Sequence, residues 1–189
     1  MTVPNIFLRY RDCLDEELHR ATRGPDLPLY TMIHYQLGWV DEHGEQEQAD
    51  RGKAIRPTLC LLMCEALGGE ISEALPAAAG LELLHNFSLI HDDVIDSTEV
   101  RRGAPTMNAI KGNQFSVLLG DFLLCQALLA VSELGRVDLL QVISQGVADM
   151  TQGQILEAQF QGDVTVSEEI YMEVVDGKTS ALMAAGCKL

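Results

Sequence analysis

Three carboxylates, Asp92, Asp93 and Asp96, close an apolar stretch that begins at Leu83, and two arginines, Arg101 and Arg102, follow at once. On a helix, Asp92 and Asp96 stand at i and i+4, on one face and about 40° apart. Asp93 points off to the side. Like charges packed this closely repel one another unless a cation sits among them. Magnesium suits such a place, because it is a hard cation that takes oxygen ligands and binds through one or two carboxylates plus substrate phosphates. The guanidiniums supply the fork geometry that grips phosphate oxygens. The pattern points to a diphosphate held against the protein by a divalent metal and by arginine.

A long helix must carry these carboxylates. The spacing predicts one from Ser72 to about Ser97, with Leu81, Leu84, Ser88 and His91 on one row and Leu83, Phe87, Ile90 and Val94 on another. It is apolar over much of its circumference and therefore central. Before it, residues 5–22 form an expected first helix with Ile6, Leu8, Cys13 and Leu18 as its stripe, and Pro28 opens a second through about Leu37. Residues 41–50 read as a polar surface loop, and Thr58–Leu67 as an apolar helix stopped by Gly68-Gly69. After the carboxylates, 101–107 is an expected loop shaped by Gly103 and Pro105. Helices are expected over Asn113–Glu133, with Asp121 a buried structural carboxylate, and over Val137–Gln159. Thr165 and Glu168 form an expected capping box for a last helix bearing Tyr171, Gly177, Lys178 and Thr179. The chain reads as all-α, one domain over residues 1–189.

With this order of segments in hand, the sequence resembles the trans-isoprenyl diphosphate synthases, or polyprenyl synthetases. Asp92–Asp96, preceded by His91 and followed by Arg101 to Thr106, resembles the family's first aspartate-rich motif. Gly52 to Pro57 resembles its G-K-x-x-R-P segment, with Arg51 and Ala54 departing from the usual residues. Gly153-Gln154 and Lys178-Thr179-Ser180 resemble its G-Q and K-T segments. The resemblance implies an isoprenoid synthase-type antiparallel helix bundle around a central cavity and a magnesium-dependent, head-to-tail condensation of isopentenyl diphosphate with an allylic diphosphate (dimethylallyl, geranyl or farnesyl). It implies Asp92, Asp93 and Asp96 as metal ligands. Lys53, Arg56, His85 and Arg102 would bind isopentenyl diphosphate. Arg101, Lys178, Thr179 and Gln154 belong to the allylic side. Phe87 and Ser88, five and four residues before Asp92, resemble the floor of synthases that stop at geranylgeranyl diphosphate.

The resemblance also carries a departure. Family members continue past the K-T segment to a second aspartate-rich motif, which this sequence lacks, so the expectation is a truncated product or the N-terminal part of a split enzyme. A homodimer, or association with a complementary subunit, follows from the same comparison. A non-catalytic modulating subunit, an inactive fragment and a class I terpene cyclase stay open, although Lys53, Arg56 and Arg102 count against the cyclase. The formal net charge of −15 and the absence of a basic stripe exclude nucleic acid as a partner. No transmembrane segment is expected, since the longest apolar run, Phe122 to Val131, is too short to span a bilayer. Five cysteines without metal-site spacing fit a reducing cytoplasm, with Cys60 and Cys64 as core residues.

Overall fold

The computed structural model describes residues 5–47 and 51–189. The helices are α1 (Arg11–Ala21), α2 (Pro28–Gln36), α3 (Ile55–Ala66), α4 (Ile71–Ile95), α5 (Met107–Lys111), α6 (Asn113–Ser132), α7 (Val137–Phe160), α8 (Glu168–Val175) and α9 (Ala181–Gly186). The small amount of sheet is a hairpin, β1 (Val100–Arg101) paired antiparallel with β2 (Ala104–Pro105). The expected all-α bundle is present. Residues 48–50, the end of the expected 41–50 loop, lie outside the described residues.

Helix α4 is the axis of the bundle, and α1, α3, α5, α6 and α9 all touch it. Leu81, Leu83, Leu84 and Ile90 are wholly buried. Each such side chain contributes about 1.5–3 kcal/mol through the apolar surface it removes from water. The uneven moment expected of a surface helix is absent here because neighbours cover nearly every face. Cys60 is buried in α3 and Cys64 is half-buried, as their spacing suggested.

Several boundaries differ from the sequence reading, each for a local reason. α1 begins at Arg11 and buries Leu14 and Leu18, with Tyr10 buried at its N-cap, while Ile6 and Leu8 are exposed. Ile6 falls in a short 3-10 turn, Asn5–Phe7, and Leu8 in the turn after it, so neither residue lies on α1. α3 starts at Ile55 rather than Thr58, because Pro57 falls in the first turn, where its missing N–H is not needed. The expected 101–107 loop contains the hairpin and the start of α5. Thr165 does not cap α8. Ser167 does, accepting from the Ile170 N–H at 3.3 Å, while the Thr165 N–H and hydroxyl bond to Asp163. The last predicted helix is interrupted by a π-helical turn at Asp176–Ser180, between α8 and α9.

α6 also departs from expectation, being long and apolar enough to cross a membrane by length and composition. Here it lies along α4 and buries Leu119, Leu123, Ala127 and Ala130, while Leu118 and Leu129 are exposed.

Candidate active site

A cavity of about 320 Å³ opens beside α4, closed by α7 and the π turn and reached by the first turn of α3. Along α4 the lining runs from His85 through Ser88 to Asp92, a span of roughly 10 Å at helical rise. Arg56 joins His85 in that lining, and Gln154, Lys178 and Thr179 join Asp92. Phe87, Met150 and Ile155 make the wall apolar between the polar groups. One cavity therefore collects Arg56, His85, Phe87, Ser88, Asp92, Gln154, Lys178 and Thr179 from four separate stretches of chain.

The local folding explains how. Gly52 (φ 70°) and Ala54 (φ 47°) take left-handed backbone conformations, which turn the chain sharply into α3 and put Arg56 in its first turn. α7 meets the π turn backbone to backbone. A Cβ on Gly153 would lie 2.4 Å from the Lys178 nitrogen, and one on Gly177 would lie 2.8 Å from the Gly153 Cα. That approach brings Lys178 over α7, where its Nζ bonds to Glu157 and stands 3.8 Å from Asp92 Oδ2.

The electrostatics separate the two ends. Burial, assisted by Arg56, Arg102 and Arg101, pushes His85 down to about 3, so its ring is neutral. Its buried Nδ1 has no hydrogen-bond partner, and neither has the buried Nε of Arg56. Unpartnered buried donors are costly unless a ligand completes them, and phosphate oxygens would do so. At the other end, burial raises Asp92 above the ordinary carboxylate range despite Lys178, with Asp96 and Glu157 adding to the rise. A second cation beside Asp92 would relieve that charge. Asp92 and the exposed Asp96 offer hard oxygen donors, which fits magnesium completed by substrate phosphates. No group of three or more His, Cys, Asp or Glu side chains forms a metal cage by itself among the described residues.

The remaining predicted residues lie elsewhere. Asp93, expected as a supporting metal ligand, is 3% exposed, and its Oδ1 accepts from Arg101 Nε at 2.9 Å. One helical position past Asp92 rotates it about 100° away from the cavity. Arg101 is thus engaged with Asp93 rather than extended into the cavity. Arg102 reaches toward Gly52, where a Cβ would come within 2.7 Å of its guanidinium. Lys53 is exposed and outside the cavity lining, because the left-handed turn at Gly52 and Ala54 directs it outward. Asp121, expected to be buried, is exposed and sits 3.6 Å from His91 Nε2. His91 lines the cavity and packs edge-on against Phe87 at 4.7 Å, a role its place in the motif did not reveal. Glu82 is buried as well, and its place amid Leu81, Leu83 and Leu84 is the sequence signal of that burial.

The chain belongs to the polyprenyl synthetase family, whose model matches residues 38–189. It is 37% identical to the (2E,6E)-farnesyl diphosphate synthase of Mycobacterium tuberculosis over 191 residues, covering 100% of this chain and 53% of the relative. It is 38% identical to the octaprenyl diphosphate synthase of Escherichia coli over 165 residues, 87% of this chain and 51% of the relative. The crystal structure of a polyprenyl synthetase from Streptomyces coelicolor superposes with a TM-score of 0.91 at 32% identity, over 98% of this chain and 56% of that one. The chain spans about half the length of the curated relatives it matches. Those relatives make products of different length, so family membership leaves chain length undecided.

Proposed function

We propose that this chain builds a prenyltransferase site that joins isopentenyl diphosphate head-to-tail to an allylic diphosphate, with geranylgeranyl diphosphate as product. The observation that carries this reading is the single cavity with the unpartnered Nε of Arg56 and Nδ1 of neutral His85 at one end, Lys178 and the Asp92 carboxylate at the other, and an apolar wall between. Two anionic head groups and one greasy tail fit that distribution.

In this reading Asp92 and Asp96 would hold magnesium, which when bound supplies the positive charge that stabilises a departing diphosphate. Lys178 and the Thr179 hydroxyl hold the same diphosphate from the opposite wall, with Gln154 beside them. Arg56, Arg102 and neutral His85 hold isopentenyl diphosphate so that its double bond faces the allylic carbon, with Lys53 a more distant surface cation. Asp93 holds Arg101 in an ion pair beside the site, from which Arg101 would turn to meet the allylic diphosphate. The departing diphosphate takes the proton that ends the step, so no protein nucleophile is required. Phe87, 8% exposed and backed by His91, closes the path of the growing chain below Asp92, and Ser88 leaves room beside it.

A second reading, a half-site that needs a complementary chain, is favoured by the exposed Ile155, Tyr171 and Met172 on α7 and α8. The deciding experiment incubates the 189-residue chain with labelled isopentenyl diphosphate, farnesyl diphosphate and magnesium, and separates products by length. A geranylgeranyl-length product is expected. Magnesium-dependent binding of farnesyl diphosphate without product supports the half-site, and neither binding nor product refutes both readings.

A further inference from the structure

The described residues bury two carboxylates, Asp93 and Glu82. Asp93 is answered directly by Arg101. Glu82 is not answered in that way, since its Oε2 is buried without any hydrogen-bond partner. Yet Arg11 of α1, Arg51 of the turn before α3 and Arg102 of the hairpin line one small chamber with it, and Arg56 of α3 adds a fourth guanidinium that acts on its charge. Two of these already have partners, Arg51 on Asp15 at 2.8 Å and Arg11 on the Gly52 carbonyl at 2.8 Å. Asp15 lines the same chamber and is paired with Arg51, and the remaining groups facing the acid are neutral. Gln36 of α2 donates to Asn86 at 3.4 Å, Asn86 donates to the Glu82 carbonyl at 2.9 Å, and His85 is the next cavity residue on α4. Arg56 and Arg102, the two guanidiniums the proposed function gives to isopentenyl diphosphate, thus also balance a buried acid.

We propose that Glu82 is the resident counter-ion of this arginine cluster, and that a diphosphate entering the cluster displaces its charge by driving one proton from solvent onto the carboxylate. The reasoning is competition. A carboxylate and a diphosphate cannot both be satisfied by the same two guanidiniums, and two anions this close in a poorly solvated place repel strongly. The diphosphate cannot shed its charge as cheaply as the acid can accept a proton. No covalent bond forms or breaks; one proton moves from water to a carboxylate oxygen, and the positive charge released serves the ligand. Burial supports this, because it already raises Glu82 above the ordinary carboxylate range against the pull of all four arginines. The consequence is that ligand binding at this end of the cavity is proton-coupled.

The inference rests on the reading that a diphosphate sits at Arg56 and Arg102, and one experiment separates the two. Inorganic pyrophosphate is titrated calorimetrically into the 189-residue chain without magnesium, at several pH values from neutral upward, in two buffers of different ionisation enthalpy. The titration is repeated with Glu82→Gln and with Glu82→Asp. Pyrophosphate's own protonation is common to all three proteins, so the difference between them reports Glu82. Wild type is expected to take up additional protons, Glu82→Asp to retain that uptake, and Glu82→Gln to lose it and to bind about tenfold tighter above neutrality, the factor that one pKa unit of coupling represents. Equal proton uptake in wild type and Glu82→Gln, or weaker binding by Glu82→Gln at every pH, overturns the inference while leaving the anion site standing. Absence of pyrophosphate binding to wild type overturns both. Should Glu82→Gln fail to fold, the comparison of wild type with Glu82→Asp across pH decides, because an ionisable acid of different reach must shift the midpoint of the uptake.

Discussion

Gly153→Ala tests the contact on which the allylic end of the site depends. The new Cβ would sit 2.4 Å from the Lys178 nitrogen and 2.8 Å from the Gly177 carbonyl carbon, where ordinary contact begins at 3.4 Å. Both neighbours are backbone, so no side chain can swing aside. The π turn must retreat from α7 by about 1.0 Å, the difference between 3.4 and 2.4 Å. Overpacking of this kind costs about 1–3 kcal/mol, and for a chain of this size that lowers Tm by roughly 2–12 °C. The retreat also carries Lys178 away from Asp92, and a misplacement of about 1 Å is enough to lose on the order of 10²-fold in rate. The assay pairs thermal unfolding with calorimetric titration of farnesyl diphosphate in the presence of magnesium. Both melting temperature and affinity are expected to fall. Gly177→Ala meets the same contact from the other side, so the double variant should lose less than the sum of the singles. Unchanged melting together with unchanged affinity in Gly153→Ala would mean that the two backbones do not meet as described.

Two further outcomes follow from the same geometry. Phe87→Ala removes the aromatic floor, and product length in the prenyl-transfer assay is expected to increase; products of unaltered length would take Phe87 out of that role. His85 has its pKa lowered from the ordinary 6.5 to about 3 in the folded chain, so the unfolded chain binds the extra proton between those values. Stability should therefore fall as pH drops below about 6.5 and level off near pH 3. Urea-denaturation midpoints measured across that window should show a shallower fall for His85→Gln, and parallel curves would show that His85 is not buried neutral.

The part of the site that lies on one helix was legible in the sequence. His85, Phe87, Ser88 and Asp92 share a continuous periodic helix, and periodicity reports a face directly. Arg56 and Lys178 could be named only through their resemblance to family segments, since nothing local in a basic turn or a polar helix shows where it folds back. Lys53 shows the limit of that route. Its spacing from Arg56 is right, but two left-handed residues flank it, and the direction of a turn is not written in residue spacing. The hairpin is not legible in the sequence because two-residue strands have no period to read. The π turn is a tertiary product of Gly153 meeting Gly177, residues 24 apart in sequence (177 minus 153), and local pattern cannot register such a meeting. Ser167 and Thr165 are both credible caps in sequence, and only the geometry of Asp163 decides between them.

The hairpin after α4 has a consequence of its own. Its two central residues, Arg102 and Gly103, both have positive φ, 53° and 84°, the geometry of the tight turn whose twist matches its strands. Arg101 sits just before that turn and Arg102 inside it. Neighbours in sequence are thereby sent to separate places on α4: Arg101 to Asp93, and Arg102 to the chamber that holds Glu82. Those acids are 11 residues apart, 93 minus 82, about 16 Å along the helix. The hairpin works as a caliper whose two points are guanidiniums: the turn sends two neighbouring side chains apart, and their length spans the rest of the opening. A one-residue insertion would leave every side chain of the cavity in place and still spoil the measurement, because the arginines would exchange sides.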